Sequence, residues 1–334
     1  MRYVIFGAGA IGGLIGGGLH LSGHDVMLIA RGAHLDAIQR EGLTLLTPDS
    51  RRTLRIPVAA SVAQVGLRTD DTILLCVKSQ DTEGALRDLR DAAGEGEPAV
   101  VCMQNGVANE RAALRLFANV YGAVLLVPAE HLRPGVVAGY GSRSAGRIDI
   151  GRYPQGTDAL ASRIAADLGG WRFQAATQER IMVHKYAKLI NNLANGVEAI
   201  CGPGQQAGPN AALIERAREE GRTVLRAAGI EFEVAHVADV AGRWQEIGIG
   251  EIEGQAHRGG SGWQSVQRGA GSIETDHLNG EIVLLGRELG IATPVNAEIQ
   301  SLARATLRIG RQPGWLTPEA VLARADGRST GGDG

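Results

Sequence analysis

Two features of this sequence combine residue types and spacings that could do chemistry. The first is Gly7-Ala8-Gly9-Ala10-Ile11-Gly12, a GxGxxG run that follows an apolar segment and opens a helical one. In such a run the first glycine permits a tight turn, the second lets the backbone approach a pyrophosphate, and the third lets helix and strand pack closely, with the phosphates at the helix amino end. Read this way, Gly7, Ala8, Gly9, Ala10, Ile11 and Gly12 cradle a dinucleotide; a purely structural glycine turn is the alternative. The second feature is the scarcity of lysine. Only three of the 34 basic residues are lysine, namely Lys78, Lys185 and Lys188. On an exposed surface either cation serves, so a chain this biased toward arginine places lysine where arginine chemistry fails. The bland alternative is that all three are ordinary surface lysines.

Lys188, Asn192 and Asn195 fall at i, i+4 and i+7 of a helical segment, one narrow stripe with Lys185 on its edge. A cation flanked by amides among Leu189, Ile190 and Leu193 is costly to bury unless it binds something, so a substrate-facing stripe is favoured over a solvated polar face. Lys78 and Asn105 each follow a strand-like apolar run, and residues just past the carboxyl ends of parallel strands border the ligand crevice. Arg31 stands where NAD-preferring chains place an acid for the ribose 2′-OH; arginine there suits a 2′-phosphate, which favours NADP(H). Glu274 opens a later helical segment, where capping and a favourable dipole position are the alternative, with Ser272 or Thr275 as cap.

The elements that must position these groups follow from periodicity. Apolar runs at 3–6, 25–29, 72–77, 99–103 and 120–127 alternate with helical or polar segments, which predicts a doubly wound parallel sheet of Rossmann type, an α/β domain covering 1–177. Runs at 136–139 and 147–151 read as a hairpin, followed by a closing helix at 158–168 and a strand at 171–175. From about 178 the period becomes helical, over 181–200, 210–228, 234–247, 274–289 and 295–309, so an all-α C-terminal domain is expected over 178–325. The glycine-rich stretch 248–271 reads as a loop near a site, and 326–334 as a fraying tail.

Composition removes several classes. The chain has 334 residues and a formal net charge of -2, with no global basic field for gripping nucleic acid. Cys76, Cys102 and Cys201 lack a CxxC pair, so neither a disulfide framework nor a zinc site is supported, and a cytoplasmic protein is the expectation. The eight histidines show no metal spacing. The apolar start superficially resembles a signal peptide, but its glycines would make a poor hydrophobic helix, and no run suits a membrane span.

Taken together, the residues resemble the ketopantoate reductase (2-dehydropantoate 2-reductase) family. The resemblance rests on GAGAIG at the start, ARG around Arg31, VKSQDT around Lys78, QNGV around Asn105, KLINNLAN from Lys188, SGWQS from Ser261 and IETDHLNG around Glu274, in family order across nearly the whole chain. It implies NADPH-dependent reduction of 2-dehydropantoate to pantoate, in pantothenate and coenzyme A biosynthesis, in a cleft between a Rossmann domain and a helical one. By the family pattern Lys188 is the general acid, Asn192 and Asn195 bind substrate, Ser261 contacts its carboxylate, and Glu274 reaches the substrate hydroxyl or the cofactor ribose. Lys78 and Asn105 would lie where nicotinamide ribose and substrate meet. Family members commonly space the lysine and its two asparagines four and four; here the second step is three, which leaves Asn191 as an alternative to Asn192. A paralogous reductase of another 2-oxo acid or ketone is the second reading, and a non-catalytic NADP-binding sensor the third. A homodimer is compatible with all three, and no partner beyond the small-molecule substrate is implied.

Overall fold

A computed structural model describes residues 1–203, 208–233, 237–253, 255–256, 263, 266 and 273–329. The chain divides into two compact units, the first formed by 1–184 with 234–257 and the second by 185–233 with 258–334.

In the first unit the order is β1 (Arg2–Phe6), α1 (Ala10–Leu21), β2 (Asp25–Ile29), α2 (Gly32–Glu41), β3 (Leu43–Thr47), β4 (Ser50–Leu54), β5 (Val58–Ala59), β6 (Thr72–Leu75), α3 (Thr82–Ala93), β7 (Ala99–Cys102), α4 (Asn109–Leu114), β8 (Val120–Leu126), β9 (Ala129–Arg133), β10 (Val136–Gly139), β11 (Gly146–Arg152), α5 (Ala159–Gly169) and β12 (Phe173–Thr177). An eight-stranded sheet runs β12-β11-β8-β7-β6-β1-β2-β5. Its six strands from β8 to β5 are parallel, while β11 pairs antiparallel with β8 and parallel with β12. Those six strands follow the dinucleotide-binding order, with the reversal of winding between β1 and β6. β1 shows why its sequence is continuously apolar: Tyr3 and Ile5 enter the core on one face, Val4 and Phe6 the core on the other. At the far end of this pair Arg2 donates to Asp71 through Nε and Nη2, at 2.9 and 2.7 Å, a buried bidentate clamp that fixes β1 beside β6.

A second, four-stranded sheet runs β4-β3-β10-β9. α1 packs on β1 and β2 and also on β3, β9 and β10, so it is apolar all round instead of amphipathic. Its glycines make room for both sheets: a Cβ on Gly17 would lie 2.3 Å from Leu45 Cδ1, and one on Gly16 2.9 Å from Leu28 Cδ2. The expected hairpin of 136–139 with 147–151 does not form. β10 pairs with β9 and β3, while β11 joins the large sheet.

The helical half begins with α6 (Ile181–Asn192), within which the first unit ends after His184, followed by α7 (Ala194–Cys201) and α8 (Ala211–Ala227). α9 (Val237–Ile247) and a short hairpin of β13 (Glu251–Ile252) with β14 (Gln255–Ala256) come next. This stretch departs from the sequence-based division, because 234–257 belongs to the first unit, where Ser142 N–H donates to Gly248 O and Gly250 N–H to Tyr140 O at 3.0 and 2.8 Å. A 3-10 turn (Glu274–His277), α10 (Asn279–Leu289), α11 (Pro294–Arg308) and α12 (Pro318–Ser329) complete the second unit, which is helical among the described residues. α12 runs into the segment expected to fray: Asp326 accepts from Arg216 Nη2 at 2.8 Å. Among the described residues no helix is long and apolar enough to cross a membrane.

Candidate active site

The first unit assembles its chemistry at the reversal between β1 and β6. Gly7 (φ +106) turns the chain out of β1, and a Cβ there would stand 3.0 Å from Val77 N. A Cβ on Gly12 would lie 2.1 Å from Gly7 O and 2.9 Å from Ile5 Cγ2, so only glycine allows α1 to start this close to its strand. Gly9 is different, because a Cβ there meets nothing within 4 Å. The open side of the loop is thus at Gly9, at the amino end of α1, where a pyrophosphate would need to approach. These residues fit a dinucleotide. Cys76 adjoins the loop, but burial pushes its thiol up and keeps it protonated, which removes it as a nucleophile.

Lys78 and Asn105 sit on neighbouring loops, after β6 and β7, and a set of side chains ties those loops together. Gln104 Nε2 donates to Val77 O at 2.8 Å and to Thr82 Oγ1 at 2.7 Å; Thr82 in turn donates to Asn109 Oδ1 at 2.8 Å. Asn109 Nδ2 and Ser79 Oγ both donate to Asn105 O, at 2.9 and 3.3 Å. Gln104, Thr82, Asn109 and Ser79 are buried and hold the Lys78 and Asn105 backbones in register. Their types and spacing carry no signal of this role, although Ser79 and Thr82 lie within VKSQDT and Gln104 within QNGV. Arg31 lies at the carboxyl end of β2, exposed, as the residue before α2.

The second unit gathers the other lysines. Lys185 is buried and Lys188 partly exposed, on successive turns of α6. The Lys188 ammonium is lowered to about 7, first by burial and then by the charge of Lys185, with Glu274 acting in the opposite sense. Glu274 thereby belongs with the two lysines. It opens the 3-10 turn after Ile273, and no side chain caps that turn. Ser261 and Ser272 lie outside the described residues.

The helical stripe is interrupted. α6 ends at Asn192 and α7 starts at Ala194, so Asn195 sits past a one-residue break at Leu193. Asn279 Nδ2 donates to Leu193 O at 3.2 Å and to Asn296 Oδ1 at 3.0 Å, while Asn296 Nδ2 donates to Ala217 O at 2.9 Å. Gly196 lets α7 approach this network: its Cβ would lie 2.5 Å from Ile299 Cγ2 and 2.8 Å from Asn279 Oδ1. Asn279 therefore links the break to the segment carrying Glu274, a role with no signal in its own spacing. Of the two alternative asparagines, Asn192 has a buried Nδ2 without a hydrogen-bond partner among the described residues. At Asn191 the backbone carbonyl accepts from Arg218 at 3.5 Å.

Comparison with known proteins bears on both units. The family model for ketopantoate reductase PanE/ApbA matches residues 3–155, and the model for the C-terminal part of that family matches 180–307. The chain belongs to the ketopantoate reductase family. Ketopantoate reductases are oxidoreductases, and this chain is similar to a 2-dehydropantoate 2-reductase of Pyrococcus horikoshii, 30% identical over 93% of this chain and 99% of that protein. It is 32% identical to that of Archaeoglobus fulgidus over 91% of this chain and 97% of the other. Among solved structures, a PanE/ApbA family ketopantoate reductase from Ralstonia eutropha JMP134 is 30% identical with a TM-score of 0.77, covering 93% of this chain and 99% of its own. A D-mandelate dehydrogenase, solved with NADH and anilino(oxo)acetate, shares the fold at 24% identity and a TM-score of 0.78, with 93% of this chain and 99% of that one covered.

Proposed function

We propose that this chain is an NADPH-dependent reductase that converts 2-dehydropantoate to pantoate, with Lys188 as the proton donor. The observation that carries the reading is the ammonium of Lys188, lowered to about 7 beside Lys185 and Glu274. An acid whose pKa lies near the operating pH is protonated often enough to act and weak enough as a base to release its proton. When bound, the nicotinamide supplies hydride to the C2 carbonyl carbon. Lys188 polarises the carbonyl oxygen and gives it a proton, which the neutral amine regains from solvent. Asn192, Asn195 and Ser261 orient the substrate, and Glu274 accepts a hydrogen bond from the substrate hydroxyl or the ribose.

Gly7–Gly12 would hold the dinucleotide, with Lys78 and Asn105 toward its nicotinamide end and Arg31 toward its adenosine end. NADPH is favoured over NADH because the end of β2 carries Arg31 and no acid, which suits a 2′-phosphate. Steady-state turnover of NADPH with 2-dehydropantoate, against a panel of other 2-oxo acids, tests this reading. Preference for 2-dehydropantoate supports it. Turnover no faster than with unrelated 2-oxo acids sinks the substrate assignment and favours a second reading, a reductase of another 2-oxo acid, which the three-residue step from Asn192 to Asn195 motivates.

A further inference from the structure

A run of polar contacts links the glycine loop to the small sheet through α2. His34, near the start of α2, places Nε2 2.8 Å from Ala8 O. Gly135 N–H donates to His34 Nδ1 at 2.9 Å, and His131 Nε2 lies 3.1 Å from that same Nδ1. A carbonyl only accepts and a backbone N–H only donates, so the ring state is determined by its neighbours: Nε2 carries the hydrogen, Nδ1 does not, and the imidazole is neutral. Nδ1 then has a single lone pair, directed at the Gly135 N–H, and a hydrogen on His131 Nε2 shares it as a bifurcated contact. The two rings meet edge to face, centroids 4.3 Å apart.

The far end of this run is anchored as well. Gly135 turns the chain between β9 and β10 at φ +77, and its carbonyl accepts from Thr44 N–H at 2.8 Å, on β3. A Cβ at Gly135 would stand 3.0 Å from Ala37 Cβ of α2, so the glycine also allows the turn to lie against the helix that carries His34. The consequence for the loop comes from peptide geometry. Ala8 C=O and Gly9 N–H belong to one planar trans peptide and point in opposite directions. Holding the carbonyl toward His34 aims the Gly9 N–H the other way.

We propose that His34 is a positioning residue for the dinucleotide: its Nε2–H, oriented by Gly135 and His131, fixes the Ala8–Gly9 peptide so that the Gly9 N–H faces the pyrophosphate. The proposal rests on the dinucleotide reading given above and adds to it a brace supplied by the β9–β10 turn. Nothing in the GxGxxG pattern itself points to a histidine 26 residues downstream of Ala8.

The two amide replacements of histidine separate the two ring nitrogens. In His34→Gln the side-chain nitrogen can stand at the Nε2 position and donate to Ala8 O; in His34→Asn the amide reaches only the Nδ1 position and can serve Gly135 alone. The test is a fluorescence titration of the full chain with NADPH, for wild type and for His34→Ala, His34→Asn and His34→Gln, with thermal melting of each. Loss of the Ala8 bond in the Ala and Asn variants is expected to weaken NADPH roughly 3- to 10-fold, while Gln stays within about twofold of wild type. Affinities that are equal in all four proteins, or restored by Asn and not by Gln, overturn the role of His34. So do affinities that merely track the melting temperatures. A wild-type chain that takes up no NADPH overturns the dinucleotide reading itself and the proposal with it.

Discussion

Lys185 and Lys188 stand one helical turn apart on α6, and after burial the charge of Lys185 is the next cause that lowers the Lys188 ammonium to about 7. A buried lysine three residues from a second lysine is an unfavourable arrangement for stability and a favourable one for proton transfer. Lys185 is thus a tuning charge whose effect is read at Lys188.

Replacing Lys185 with methionine keeps most of the buried volume and removes the repulsion. The Lys188 pKa should rise. The proposed reduction uses the protonated ammonium, so its rate is full below that pKa and falls as pH rises through it. The descending limb of kcat/KM for the oxo acid, near pH 7 in the wild type, should therefore move to higher pH in Lys185→Met. A pH–rate profile checks this, and an unmoved or downshifted limb counts against the tuning role.

Much of this was legible in the sequence, and what was not has identifiable causes. Five of the six parallel strands and the glycine loop were readable because each of those strands is buried on both faces and the loop has a fixed order of glycines, whereas β5, two residues long, is too short to leave a pattern. The pairing of 136–139 was not, because an apolar run of four residues carries no mark of its partner, and β10 pairs with β3 some ninety residues earlier in the chain. The break at Leu193 lacks a glycine or proline signal. It is held by Asn279, whose contact with Leu193 O spans 86 positions. Likewise 234–247 has helical texture and the residues from 248 read as a loop, yet 234–257 belongs to the first unit, through backbone bonds to Tyr140 and Ser142 that leave no trace in periodicity. Lys188, Asn192 and Glu274 stand out as candidates by residue type and order, whereas Gln104, Thr82 and Asn109 act only through geometry.

Asn192 offers a contrast between folding and function. Its Nδ2 is buried without a partner among the described residues, the kind of group that folding leaves costly and a ligand can satisfy. Asn192→Leu should leave the melting temperature unchanged or raise it, while lowering kcat/KM for the oxo acid by about tenfold or more, the loss of a substrate hydrogen bond. Thermal melting together with steady-state kinetics checks both halves. A variant that loses stability and keeps its kinetics reverses the assignment.

The glycine loop gives a second contrast. Gly12→Ala forces a Cβ to within 2.1 Å of Gly7 O, a backbone atom that cannot swing away, and should destabilise by about 1–3 kcal/mol or more. Gly9→Ala enters open space, so the fold should be retained while dinucleotide affinity drops. Melting temperature and NADPH titration distinguish the two, and equal loss of stability in both would contradict the geometry.

Arg31 is exposed at the end of β2, where its side chain is free to meet a 2′-phosphate. Arg31→Ala should lower the NADPH-to-NADH ratio of kcat/KM by roughly tenfold or more, the worth of a charged hydrogen bond. The effect should shrink with added salt, as expected for an exposed charge. An unchanged ratio contradicts the assignment of Arg31 to a 2′-phosphate.

An ammonium at Lys188 poised near neutrality is directly measurable, because lysine is scarce in this chain. With only three lysines in the chain, uniform labelling of lysine side chains gives an NMR spectrum in which each ammonium can be followed through a pH titration. One resonance should titrate near pH 7 and be missing from Lys188→Arg, whose turnover should fall by about 10²–10⁴ because a guanidinium cannot release the proton. Titration of all three lysines at or above pH 10, or full turnover by Lys188→Arg, would contradict it.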